Sequence, residues 1–285
     1  MKKNQEAYYI GYLPSMPKEF RKWVMPAVII GILLAVGSAV IVGTSQTPSE
    51  ASKYELGQLT EIEGVILSDP FPVIRVKVGE NEQAKPLYQT LLLMDFGKFG
   101  AEETLAELEE MAQDKGGSLA GMRVKASGTL DYREGRVIYE LTKGTDAILD
   151  MSPLAENEKV GLALERKVLG PRTFKGEILD GKCYFGTMKP GSGKPHRSCA
   201  VRCIAGGLPA FLGGLGADAP LLLKGTSGQS INQELLPLVA KEVSVSGELV
   251  QYEDWWVLET DMDQLQLVDR TNADWIQECV SYVPQ

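Results

Sequence analysis

The fold class that the sequence predicts is mainly β with short helices, with one N-terminal transmembrane helix in front of two tandem OB-like β-barrel units. Three observations predict it: a long uncharged run near the N-terminus, a repeated pattern of alternating strands, and one amphipathic helix before the last strand pair of each repeat. With 285 residues and an apolar content of 44%, the chain is long enough for two compact domains.

An uncharged run at residues 24–43 predicts the transmembrane helix, which we place at residues 23–43 behind a cytoplasmic tail at residues 1–22. Twenty residues at about 1.5 Å rise per residue span about 30 Å, the thickness of a bilayer core. A cleaved signal peptide is the alternative, but the apolar stretch of a signal peptide is only about 7–15 residues long. The sequence therefore predicts an uncleaved anchor.

Flanking charge predicts the orientation of this anchor. Five basic residues precede the apolar run, namely Lys2, Lys3, Lys18, Arg21 and Lys22. Because basic residues favour the cytoplasmic side, we expect a cytoplasmic N-terminus. The predicted location is a bacterial inner (cytoplasmic) membrane, crossed once, with the bulk of the chain in the periplasm.

Two similar units follow the anchor. Each begins with an apolar run around a glycine and ends with two alternating strands joined by a short turn, which indicates a hairpin. Gly64 and Gly176 are 112 residues apart, and Gly128 and Gly247 are 119 apart, so the pattern indicates an internal duplication. The predicted segments are a linker at 44–55, a first domain at 56–150, a second linker at 151–171 and a second domain at 172–285.

Each unit also carries one helix just before its last strand pair. In the first unit, residues 101–115 place four apolar side chains on one face: Leu105, Leu108, Met111 and Ala112. In the second unit, Ser230 starts a predicted capping box. Three strands, a helix and a hairpin, in this order, are typical of an OB-fold barrel, and the glycines suit its sharp coiling. Two unrelated small α+β or β-sandwich units are the alternative.

A long insertion at residues 181–217 takes the place of the first hairpin in the second unit. It holds the single histidine of the chain and three of its four cysteines, in the spacing Cys-x12-His-x2-Cys-x3-Cys that runs from Cys183 through His196 and Cys199 to Cys203. A helix starting at Pro195 would place the histidine and the last two cysteines on one face. A single histidine excludes sites that need two, such as His-triad zinc hydrolases and facial-triad iron oxygenases.

Three interpretations of these side chains stay open. Extracytoplasmic thiols oxidise, so four cysteines, with Cys279 as the fourth, predict two disulfides in which Cys183 pairs with Cys199 or Cys203. In that case we expect no cofactor. Alternatively, His196 and the three cysteines of the insertion bind zinc or an iron–sulfur cluster. In the third interpretation one cysteine is a reactive thiol that nearby arginines activate.

The insertion is also basic within an acidic protein, since five basic and no acidic residues lie between Asp180 and Asp218. Four side chains near the predicted helix start indicate an anion-binding or partner-docking loop: Lys194, His196, Arg197 and Arg202. Paired carboxylates, a nucleophile elbow and a cofactor fingerprint are not found in the sequence. We therefore predict no catalytic residue and favour a role other than catalysis, with an enzyme left as the alternative.

The topology of a cytoplasmic N-terminus, one anchor and an exported OB-like barrel resembles that of the haem chaperones of cytochrome c maturation. Those proteins carry haem on the histidine of a His-x3-Tyr motif. Here Ala200 follows His196 at that spacing. The resemblance therefore covers the topology and implies no haem site.

The predicted function is that of an accessory subunit or assembly factor of a membrane complex, respiratory or otherwise redox-active, with a disulfide-stabilised docking loop. The predicted partners are integral membrane protein subunits and, through residues 23–43, the lipid bilayer. After the anchor the chain has 24 basic and 36 acidic residues, a net charge of −12, which predicts that nucleic acid is not a partner. The alternative function is a metal-binding or thiol-redox protein or enzyme that uses the insertion.

Overall fold

The computed structural model describes residues 18–45, 52–213 and 220–268. The chain contains two compact parts, residues 1–49 and residues 50–285. Among the described residues, the first part is a single helix, and the second part contains all the strands.

Helix α1 (Lys18–Ser45) contains the predicted membrane segment and extends beyond it at both ends. Its 28 residues span about 42 Å at about 1.5 Å per residue. By length and composition it can cross a membrane or serve as a signal sequence, and none of its described residues is buried. The basic residues Lys18, Arg21 and Lys22 lie in its first two turns, so the helix begins before the apolar run.

Seven strands form the first sheet. They are β1 (Lys53–Tyr54), β2 (Thr60–Leu67), β3 (Val73–Glu80), β4 (Pro86–Asp95), β5 (Met122–Arg133), β6 (Arg136–Leu141) and β7 (Ile148–Pro153). Five of them close into a barrel in the order β2, β3, β4, β6, β5 and back to β2, with β4 and β6 parallel and the other neighbours antiparallel. Strands β1 and β7 pair with β5 outside this ring.

Helix α2 (Glu102–Asp114) follows β4 and packs on the first barrel. Its buried face includes Leu105, Leu108 and Ala112, which the helical spacing predicts. Met111, predicted on the same face, is instead exposed, because it lies at the edge of the apolar stripe.

Six strands form the second sheet. They are β8 (Arg166–Asp180), β9 (Ala210–Gly213), β10 (Leu221–Lys224), β11 (Glu242–Tyr252), β12 (Trp255–Glu259) and β13 (Leu265–Leu267). Five of them close in the order β8, β9, β10, β12, β11 and back to β8, again with one parallel pair, β10 and β12. Both barrels therefore have OB-like strand order, and the predicted fold class is confirmed.

The short helix of the second barrel is α4 (Asn232–Leu235), which continues into a 3₁₀ turn at Leu236–Leu238. It is shorter than α2 because Pro237 has no N–H to extend the helical hydrogen bonds. The predicted capping box does not form, since Ile231 occupies the N-cap and the Ser230 hydroxyl accepts a bond from the Asn232 N–H.

Glycines at matching places in the two barrels support the duplication. A Cβ on Gly64, in the first strand of its barrel, would lie 2.5 Å from the carbonyl oxygen of Arg75 in the next strand. A Cβ on Gly176, in the first strand of the second barrel, would lie 2.7 Å from the carbonyl oxygen of Gly213. Both positions need a residue without a side chain because the sheet coils tightly there.

A buried cluster joins the two barrels. It includes Leu92 and Met94 from β4 of the first barrel together with Phe211 and Trp255 from the second. The Trp255 indole Nε1 donates a hydrogen bond to the Thr90 carbonyl, 3.0 Å away and inside this cluster. The barrels thus share a core in addition to their own interiors.

The insertion lies between β8 and β9, the first two strands of the second barrel. It contains a π-type turn at Cys183–Thr187, a 3₁₀ turn at Lys194–His196 and helix α3 (Arg197–Ala205). The hairpin of β8 and β9 is kept, so the prediction that the insertion replaces it is wrong. All four residues of β9 are buried, and a strand without exposed positions shows no alternation in the sequence.

Candidate metal centre

Asp180, the last residue of β8, organises the first half of the centre. Its Oδ1 accepts a hydrogen bond from the backbone N–H of Cys183 at 2.9 Å, and its Oδ2 lies 2.8 Å from His196 Nε2. Both Asp180 and His196 are buried. This carboxylate therefore fixes the start of the π-type turn and the orientation of the imidazole.

Helix α3 supplies the other two sulfurs. Cys199 and Cys203 lie one turn apart on it, the first half-buried and the second buried, while Ala200 and Ile204 hold the helix against the second barrel. Because residues four apart share a helix face, the two thiols point toward the same neighbour, Cys183.

The ligand atoms of these residues approach one another closely. The sulfurs of Cys183 and Cys199 are 3.9 Å apart. Cys183, His196 and Cys199 form a group whose ligand atoms all lie within 4.8 Å of one another, and Asp180, Cys183 and Cys203 form a second such group. Cys183 belongs to both groups and is the centre of the cluster. The Cys/His cluster can hold a metal ion.

Lys98, from the first barrel, also reaches the sulfurs. Its Nζ lies 2.8 Å from the sulfur of Cys199 and 3.6 Å from that of Cys203. It follows β4 in a short loop, and Gly100 of that loop donates a hydrogen bond to the carbonyl of Gly206 at 2.9 Å, just after α3. The centre is therefore assembled from both barrels.

A buried ion pair between Lys182 and Glu140 holds this loop in place. Lys182 Nζ donates to Glu140 Oε1 at 2.5 Å and to the Gly97 carbonyl at 2.8 Å. The same carboxylate oxygen accepts the Gly97 N–H at 3.2 Å. Because Lys182 precedes Cys183 and Gly97 precedes Lys98, one ion pair positions both sides of the centre.

The sulfurs differ in acidity. The pKa of the Cys203 thiol is lowered, first because its sulfur accepts a hydrogen bond from Cys183 and further because the Lys98 ammonium is close. That same hydrogen bond and burial raise the pKa of Cys183. The pKa of Lys98 is raised because its ammonium donates to Cys199. The surroundings thus favour negative charge on the sulfur of Cys203.

A second buried polar group lies beside the π-type turn. The Thr187 hydroxyl donates to Asp131 Oδ2 at 2.9 Å, while Asp131 Oδ1 is buried without a hydrogen-bond partner in the described part of the chain. Burial raises the pKa of Asp131 to about 7. The turn that carries Cys183 is thus hydrogen-bonded to a carboxyl group whose pKa lies near neutral pH.

The predicted anion-binding residues are only partly brought together. Lys194, Arg197 and Arg202 are exposed on the insertion, whereas His196 is buried and faces Asp180. The three cations therefore remain a surface feature, and the histidine belongs with the cysteines. The fourth cysteine, Cys279, lies outside the described residues.

Two residues of the centre, Asp180 and Lys98, are missing from the residues predicted as the site. Asp180 had a usable signal, since a carboxylate at a strand end three residues before Cys183 is well placed to orient a ligand. Lys98 had none, because it is 101 residues from Cys199 in the sequence.

The predicted disulfides have no bonded pair among the described cysteines. Cys183, Cys199 and Cys203 are free thiols in this structure, and the 3.9 Å between the first two sulfurs far exceeds an S–S bond of about 2.05 Å.

Comparison with known proteins adds little beyond the fold. No protein-family model matches the chain, and no curated protein matches it. It is similar to a crystal structure of a deletion mutant of the single-stranded DNA binding protein from Thermus aquaticus, at 12% identity and a TM-score of 0.21, over 78% of this chain and 89% of that chain.

This comparison corrects the predicted partners. The expectation that nucleic acid is not a partner is contradicted, since the similar structure is that of a single-stranded DNA binding protein. A likeness this low carries no argument about what this chain binds. The membrane subunits and the bilayer, predicted as partners, gain no support from it.

Proposed function

We propose that this is a membrane-anchored protein that binds a metal ion at Cys183, His196, Cys199 and Cys203, and that the ion is zinc. The observation that carries the proposal is the 3.9 Å between the sulfurs of Cys183 and Cys199. Two thiolates on a tetrahedral zinc ion, with Zn–S bonds of about 2.3 Å, lie about 3.8 Å apart.

The histidine supports the same proposal. Its Nε2 is engaged by Asp180 at 2.8 Å, so Nδ1 is the nitrogen that would bind the ion. Metal-binding histidines commonly pass their second N–H to a carboxylate, which fixes the tautomer and the orientation of the ring. Asp180 would serve that purpose here.

The donor set favours zinc over an iron–sulfur cluster. Iron–sulfur clusters are held mostly by four cysteines, or by two histidines and two cysteines in Rieske centres, and this chain has one histidine. Three cysteines and one histidine are an ordinary set for structural zinc. In this role the ion would hold the insertion, whose ligands come from two separate segments, against the second barrel.

Metal analysis of the full chain, purified in mild detergent, tests the proposal. We expect about one zinc per chain by plasma mass spectrometry and no visible absorption from an iron–sulfur cluster. The variant Cys199→Ser should lose the zinc, whereas Cys279→Ser, which alters a cysteine that is not among the proposed ligands, should keep it. Two disulfides and no metal in the purified protein would overturn the proposal and favour the disulfide interpretation.

For the anchor, we propose a cytoplasmic N-terminus with the barrels on the periplasmic side of a bacterial inner membrane. The basic residues Lys18, Arg21 and Lys22 in the first turns of α1 support this orientation. A membrane-impermeant thiol or amine reagent applied to intact spheroplasts tests it. Labelling of the exposed Lys194 in spheroplasts is expected, and labelling only after lysis would overturn it.

A role as accessory subunit or assembly factor of a membrane complex is the second proposal. It is supported by the exposed cations Lys194, Arg197 and Arg202, which present a basic docking surface beside the centre. Isolation from native membranes in mild detergent tests it. A chain that migrates alone would contradict this role and leave the metal proposal untouched.

A further inference from the structure

Lys98 is a cation aimed at sulfur atoms. In the described part of the chain, the hydrogen-bond partners of its ammonium are the sulfurs of Cys199 at 2.8 Å and Cys203 at 3.6 Å. Among the described residues Lys98 forms no ion pair with a carboxylate, although the chain is acidic and carboxylates are plentiful. An ammonium with two thiols as partners is suited to stabilising thiolates.

The backbone around Lys98 holds this contact in place. A Cβ on Gly206 would overlap the Lys98 carbonyl oxygen, and a Cβ on Gly100 would lie 2.7 Å from the carbonyl carbon of Gly207. Only glycines allow the loop of the first barrel to approach the end of α3 this closely. The Gly100–Gly206 hydrogen bond and the bonds of Lys182 and Glu140 to Gly97 fix the loop on both sides of Lys98.

A metal ion bound by three thiolates would leave negative charge beside the Lys98 ammonium. Three thiolates and one divalent ion leave a net charge of −1, and the buried Asp180 adds to it. The second lysine nearby, Lys182, is already paired with Glu140. Among the described residues, Lys98 is thus the cation whose ammonium contacts the sulfurs of Cys199 and Cys203. Hydrogen bonds to metal-bound sulfur tune the metal site.

We propose that Lys98 is a positioning residue of the metal centre: its ammonium donates to the sulfurs of Cys199 and Cys203, offsets the negative charge of the thiolate-bound ion, and makes ion binding depend on the first barrel. This inference rests on the proposed metal-binding function. It goes further, because it assigns part of the affinity to a residue of the barrel that contains no ligand.

Titration of the full chain in detergent with Co²⁺ and Zn²⁺ tests the inference. Removal of an outer partner of a metal ligand typically costs about 10–100-fold in affinity, and we expect a loss of that size for Lys98→Met. Lys98→Arg keeps a cation that donates to sulfur and should recover most of the affinity. Lys85→Met, which alters an exposed lysine of the same barrel, is the matched control and should bind as the parent chain does.

The cobalt spectrum separates this role from mere support of the fold. The sulfur-to-cobalt charge-transfer band of the parent should shift in Lys98→Met and return toward its place in Lys98→Arg. Equal affinity and an unchanged band in Lys98→Met would overturn the inference while leaving the metal site intact. A parent chain that binds neither ion would instead overturn the proposed function itself. If Lys98→Met fails to fold by circular dichroism, Lys98→Gln and Lys98→Arg are compared instead, and equal affinity in both would overturn the inference.

Discussion

The variant Lys182→Met tests the ion pair that supports the centre. Lys182 and Glu140 are each only 5% exposed, and their charged atoms are 2.5 Å apart. Methionine matches the length of the lysine stem but carries no charge. In the variant, the Glu140 carboxylate would stay buried with the Gly97 N–H at 3.2 Å and the distant Tyr54 hydroxyl at 3.5 Å as its partners.

The expected cost follows from the unpaired charge. Removing one partner of a buried ion pair costs about 3–5 kcal/mol, because the other charge remains in a poorly solvated place. The double variant Lys182→Met with Glu140→Gln removes both charges and should return to within about 1 kcal/mol of the parent. Lys77→Met breaks an exposed pair with Glu80, both about half exposed, and should cost no more than about 1 kcal/mol.

Urea unfolding of the detergent-solubilised chain measures these free energies. Tryptophan fluorescence is a suitable signal because Trp255 is 1% exposed in the core that the barrels share. A cost below about 1 kcal/mol for Lys182→Met would refute the reasoning, since an uncompensated buried charge cannot be so cheap. The reasoning would also be refuted if the double variant lost as much free energy of unfolding as Lys182→Met and Glu140→Gln lose together when measured singly.

Three further predictions concern the same region. Burial raises the pKa of Asp131 from 3.8 to about 7, so the folded state keeps a proton that the unfolded state releases. The free energy of unfolding of the parent should therefore fall by at most about 4 kcal/mol as pH rises from about 4 to 7. Urea unfolding at a series of pH values should show this slope in the parent and not in Asp131→Asn, and equal slopes would contradict the prediction. Gly100→Ala places a Cβ against the Gly207 carbonyl and should lower the free energy of unfolding by about 1–3 kcal/mol. Gly79→Ala is the control and should lower it less, because no atom lies within 4 Å of its new Cβ. Similar losses of stability for both variants in thermal unfolding would contradict the close approach at Gly100. Asp180→Asn should weaken zinc binding by about 10–100-fold in a chelator competition, and unchanged competition would show that this carboxylate does not orient the histidine.

Much of the fold could be predicted because its signals are local. The pairs β5 with β6 and β11 with β12 combine alternating side chains with a short turn, and both are present where the pattern indicates them. The sequence shows no alternation where a strand is completely buried, and no helical periodicity where a helix is a single turn. Strand β9 has four buried residues and no alternation, and α4 ends early at Pro237.

The candidate site divides in the same way. Cys183, His196, Cys199 and Cys203 are close in sequence, so their spacing alone nominated them. The spacing could not predict that the histidine is buried while Arg197 and Arg202 are exposed. Which side chains are buried depends on the face of α3 that the second barrel covers. The contact with Lys98 depends on how the two barrels pack, which no local pattern encodes.

The position of the centre explains why both barrels contribute to it. Cys183 and Cys203 belong to the same buried cluster as Leu92 of the first barrel and Trp255 of the second. Interiors are packed as densely as crystals, so a shift of one barrel against the other would move the sulfurs as well as the apolar side chains. A bound ion would therefore fix more than the insertion, because its ligands are also core residues. In a chain built from two similar barrels, the insertion in the second barrel supplies the candidate ligands, and the shared core brings a lysine of the first barrel to them.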